Sequence, residues 1–97
     1  MQTIENILEE MKDSIGKIDQ LNFPDDSFTS LLSEIDFIAS FLYDTFYSEH
    51  ALHLKKYENE VRDNLYHASF ENYLYFNKVK FDAIDILKEI ERELINS

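Results

Sequence analysis

Asp36, Ser40, Tyr43 and Tyr47 follow one another at steps of four, three and four. That spacing puts them on one side of a helix, with Asp44 adjacent. Asp25, Asp26 and Glu34 lie nearby in the sequence. Tyrosine offers a large, fairly rigid contact area with a polar tip, and carboxylates around it steer and orient a basic partner. These eight residues form the candidate partner-binding surface. A second group, His50 and His53 with Glu49, has the helical spacing to share a metal ion. A working metal centre needs a third ligand from elsewhere, and no paired Glu-x-x-His elements of the di-iron bundle type occur. Neither a metal nor a cofactor is expected.

A third group is the run Arg62-Asp63-Asn64-Leu65-Tyr66-His67. It is similar to the short motif of the HEPN superfamily, all-helical domains that often act as metal-independent RNases. The resemblance implies that Arg62 would stabilise phosphate charge, His67 would act in acid–base chemistry, and Asp63 would hold the polar position beside the Arg. A plainer role for Arg62 is an ion pair with Glu58, in the favoured i, i+4 orientation. On an unbroken helix, moreover, five residues turn ~140°, so positions 62 and 67 diverge.

The bulk composition removes most other chemistry. With no Cys, disulfide scaffolds, thiol catalysis and thiolate zinc sites are excluded. One Gly leaves no phosphate-cradling loop, and neither a Gly-x-Ser-x-Gly nor a calcium-loop pattern is present. The chain carries 20 Asp and Glu against 9 Lys and Arg, for a formal charge of −11. Direct binding to duplex nucleic acid rests on cations at the phosphates, and anionic membranes ask for the same; both are disfavoured. The charge is concentrated: residues 1–50 hold 11 acids and 2 bases, and no base lies between Lys17 and Lys55. No stretch reaches the ~20 apolar residues of a membrane span, and the acidic N-terminus resembles no signal peptide. A cytoplasmic protein is expected.

The elements that must hold these groups are helices. Leu, Ile, Val and Phe make up 31 of 97 residues, enough for a core. One Gly and one Pro supply too few turns for sheets. Ile4, Leu8, Met11, Ile15 and Ile18, with Ile7 beside them, mark a helix over about 4–20, capped by Thr3 and only weakened by Gly16. Around Pro24 the chain breaks; Asp25 or Asp26 is expected to cap the second helix, and Phe23 to close over its start as a staple. Phe28, Leu32, Ile35, Ala39, Leu42 and Phe46 mark that helix over about 27–47, apolar around most of its circumference. Leu54, Tyr57, Val61, Leu65 and Ala68 mark one over about 49–72, and Ala83, Leu87, Ile90 and Leu94 one over about 79–95. The run Tyr73–Phe76 has no readable period, and a break is expected near Asn77.

Residues 1–97 therefore read as a single all-α domain, a compact antiparallel bundle of four helices. The expected function is that of a small non-catalytic binding module acting on a basic protein partner. In size, charge and helicity it looks like bacterial immunity proteins, antitoxins and phage inhibitors that imitate nucleic-acid charge. The alternatives are the HEPN-like RNase through Arg62, Asp63 and His67, and a self-associating homodimer that buries the spare apolar surface of the second helix.

Overall fold

A computed structural model describes residues 3–45, 48–68 and 73–96, with the side chains of His67 and Ala68 outside the description. Four helices account for nearly all of it: α1 Ile4–Gln20, α2 Phe28–Tyr43, α3 Ser48–Ala68 and α4 Tyr73–Ile95. No strand occurs among the described residues. The bundle measures 39 × 23 × 19 Å. Each helix packs on its two ring neighbours, while α1 and α3 face each other across a diagonal without touching. Neighbours run antiparallel: Lys55 of α3 reaches Asp36 of α2, and His50 and Asn64 of α3 reach Glu93 and Tyr75 of α4. Contact is densest between α2 and α3 and sparse between α3 and α4.

The helix ends follow from local hydrogen bonding. Thr3 caps α1 as expected, its Oγ1 accepting from the Asn6 amide at 3.2 Å. At α2 the cap is Ser27, whose Oγ accepts from the Ser30 amide at 3.3 Å, and not Asp25 or Asp26. Asp26 is engaged elsewhere. Its carboxylate accepts from the Asn22 amide at 2.8 Å and closes the connecting turn. Phe23 does fold over the start of α2, its ring 6.3 Å from that of Phe28. Helix α2 stops at Tyr43, short of the expected 47, because the hydroxyl and amide of Thr45 both donate to the Leu42 carbonyl. Phe46 and Tyr47 lie outside the described residues, as do 69–72, where α3 was expected to end.

The break expected near Asn77 does not exist. Helix α4 runs unbroken from Tyr73, with Phe76, Val79 and Lys80 buried ahead of the expected line of Ala83, Leu87, Ile90 and Leu94. Phe76 is the reason: its fully buried ring meets Phe28 edge-on at 5.2 Å and Phe23 at 5.8 Å, which anchors the first turn of α4 in the core. The inner face of α1 is also rotated from expectation. Ile7, Met11, Ser14 and Ile18 are buried, Leu8 and Ile15 are half-buried, and Ile4 is exposed. A wide apolar stripe leaves its centre to be set by neighbours, here α2 and α4 together. One cluster of buried residues, drawn from all four helices, forms the core. No helix among the described residues is long and apolar enough to cross a membrane.

Candidate functional site

The acidic and aromatic face of α2 stands beside α3, and α3 answers part of it. Lys55 Nζ donates to Asp36 Oδ1 at 3.1 Å and to Ser40 Oγ at 3.4 Å. Asp36 and Ser40 thus share one side of α2, as their spacing implied, and Lys55 bridges them while the Asp36 side chain stays half exposed and Ser40 exposed. Glu34 lies toward α1, half-buried, its Oε2 lacking a hydrogen-bond partner among the described residues. The hydrogen bond and charge of Asp13, with Glu34 behind it, raise the pKa of Lys17 on α1. Asp25 is exposed on the turn before α2, and Asp26 is spent in that turn.

Two of the expected residues stand clear at the end of α2. Tyr43 is 54% exposed. Asp44, also exposed, is the residue that ends the helix. There the carbonyl ends of the helix disfavour an anion, and no basic residue occupies the last turn of α2 to offset it. Tyr47, the fourth member of the spacing, lies outside the described residues.

A second acidic surface escaped the sequence reading. Where α3 and α4 stand apart, a groove of about 370 Å³ is lined by His50 and His53 on one side and by Asp85, Ile86, Glu89, Ile90 and Glu93 on the other. The acids recur at i, i+4 and i+8 on α4, a signal visible in the sequence once α4 is known to be one helix. His50 Nε2 meets Glu93 Oε2 at 2.6 Å, and Arg92 pairs with Glu89 at 2.6 Å. The two imidazoles therefore do share a groove. Among the described residues, no group of three or more His, Asp or Glu side chains has the geometry to hold a metal ion.

Arg62 takes the plainer role. Its Nε and Nη2 both donate to Glu58 Oε2, at 2.8 and 2.7 Å, and the Glu58 side chain is only 7% exposed. A buried carboxylate needs such a partner, and two of the guanidinium's five N–H groups supply it. Beside it, Phe28, Thr29, Leu32, Leu65 and Tyr66 complete a shallow groove of about 310 Å³. Asp63 is exposed. Because α3 continues through Ala68, positions 62 and 67 stand ~140° apart around its axis.

Farther along, α3 and α4 are joined by polar contacts. Tyr57 Oη donates to Asp82 Oδ2 at 2.9 Å, and Lys78 Nζ donates to the same oxygen at 2.7 Å. Burial, and after it the hydrogen bond and charge of Asp82, push the Tyr57 phenol far above its usual range. The folded protein thus keeps a proton that the unfolded chain releases above about pH 10. Tyr57 contributes stability that is intact below that pH and is lost as the pH rises past it. Urea midpoints at about pH 8 and about pH 11 should therefore fall farther apart in the wild type than in Tyr57→Phe. Equal losses in the two proteins would refute this.

No protein-family model matches the chain, and no curated protein or solved structure shows significant similarity to it.

Proposed function

We propose that this protein is a small, non-catalytic binding module that neutralises or inhibits a basic protein partner, in the manner of an immunity protein, an antitoxin or a phage inhibitor. The observation that carries the reading is the end of α2. An exposed Tyr43 stands beside an exposed Asp44 at a helix terminus where an acid is locally unfavourable. Residues that break a local rule without an internal gain are expected where a protein meets something else. The net charge of −11 supplies long-range attraction for a cationic surface. The paired Tyr and Asp supply a local anchor and its orientation. Asp25 on the preceding turn and the acids of the α3–α4 groove extend the negative field.

The test is capture from the native host at low salt, with the wild-type chain and the double variant Tyr43→Ala/Asp44→Lys as parallel baits of equal helicity. A basic protein held by the wild type and lost from the variant is the expected result. If the two baits retain the same proteins, the end of α2 is not the contact. If nothing basic is retained by either, the proposal fails.

A further inference from the structure

Positions 50, 57 and 64 stand at steps of seven on α3, along one line facing α4, and each carries a polar side chain that reaches across. His50 meets Glu93, Tyr57 meets Asp82, and Asn64 meets the Tyr75 hydroxyl. Apolar packing between the two helices is sparse. The groove of about 370 Å³ is the window between the first two of these contacts. It runs ~10 Å along α3, the rise of seven residues. That space holds side chains and not a whole helix, which is ~10 Å across.

The window has a floor and a rim of opposite character. Ile90 is buried and Ile86 half-buried, so the floor is apolar. Asp85, Glu89 and Glu93 follow one flank at helical spacing, about 6 Å apart along the axis. Elsewhere Asp13, Asp36, Glu58 and Asp82 already hold a cation of this chain. Asp85 is exposed and has no ion pair or hydrogen bond among the described residues, and neither has His53 on the facing helix. An apolar floor beneath a carboxylate rim matches one kind of side chain. Lysine and arginine lay their methylene stems along apolar surface and carry the charge at the tip.

We propose that the α3–α4 groove receives a lysine or arginine side chain of the basic partner, its stem on Ile86 and Ile90 and its head at the carboxylates of Asp85 and Glu89. The inference rests on the reading above that the partner is basic, and adds where and by which side chain it is held. Because neighbouring helices run antiparallel, the end of α2, the start of α3 and the end of α4 lie at one end of the bundle. The window opens toward that end, so one partner surface can meet the groove together with Tyr43 and Asp44.

The probe is an acetylated, amidated pentalysine peptide, titrated at low salt into the whole chain and followed by amide resonances. The largest shifts are expected at His53, Ile86 and Ile90. Asp85→Asn/Glu89→Gln keeps the side-chain shapes and removes two charges from the rim. Glu9→Gln/Asp19→Asn removes two from exposed positions of α1. The first variant is expected to weaken binding at least about fivefold and the second less than about twofold. Equal losses in the two variants, or shifts spread evenly over the acidic surface, would overturn the proposal. So would groove resonances that move on dilution of the protein alone, which would assign the window to a second copy. Localised binding stands whether or not a basic protein is captured from the host, so this inference and the proposed function fail separately.

Discussion

Replacing Phe76 with Ala is expected to destabilise the bundle by about 3–5 kcal/mol, the usual cost of emptying a buried aromatic position. The ring is fully buried and sits edge-on to Phe28, with Phe23 beside it. Tyr75 closes the group, its centroid 5.7 Å from that of Phe28. These four rings tie the turn after α1, the start of α2 and the start of α4 into one unit. The deletion therefore unseats three segments at once, which places it at the upper end of the range. Leu74→Ala is the matched control. It lies two residues earlier and is 77% exposed, so in dilute solution its effect should stay within about 0.5 kcal/mol. Urea unfolding followed by circular dichroism measures both. Similar midpoints for the two variants would mean that the first turn of α4 does not pack as described.

The second large effect belongs to a charged residue in the core. Lys80 is 6% exposed on the inner side of α4, and its Nζ donates to the Leu21 carbonyl at 2.9 Å. Leu21 is the C-cap of α1, where carbonyls lack helical partners and the helix presents its negative end. The ammonium thus meets both needs in one bond, while its methylenes pack as an apolar side chain would. Lys80→Ala is expected to cost about 2–3 kcal/mol, from a charge-assisted hydrogen bond and the lost packing of the stem. Lys80→Met keeps the stem and should recover the packing part alone. A loss below about 0.5 kcal/mol for the Ala variant, read from the urea midpoint, would show that the contact does not bear on stability.

Much of this fold was legible in the sequence because the helical period is a local property. The lines Phe28–Leu32–Ile35–Ala39–Leu42 and Ala83–Leu87–Ile90–Leu94 lie inside the core, as their spacing required. What escaped depended on contacts distant in the chain. The run Tyr73–Phe76 has no readable period, and its helix is held by contacts distant in the chain, of Phe76 with Phe23 and Phe28 and of Tyr75 with Phe28 and Asn64. Lys80 counts as polar in any periodic pattern, so its place in the core follows from a carbonyl 59 residues away. Asp26 and Ser27 are both good caps, and the engagement of Asp26 with Asn22 decided between them. The candidate surface divides in the same way. That Asp36 and Ser40 share a side was readable, but that Lys55 would bridge them was not, since Lys55 is 19 residues from Asp36.

The uneven packing around α4 bears on the order in which the bundle assembles. This helix comes after α3 in the chain yet rests more firmly on α1, and it touches α3 only sparsely. Helices α2 and α3 can meet as a local hairpin, across a short connection, before the ends of the chain have found each other. Seating α4 requires closing a loop of 59 residues, from Leu21 to Lys80, at an entropic cost of about 3–4 kcal/mol before any constant term. Its reward arrives only when the Phe76 ring and the Lys80 ammonium dock. The docking of the last helix on the first therefore carries a loop-closure cost that the α2–α3 hairpin does not.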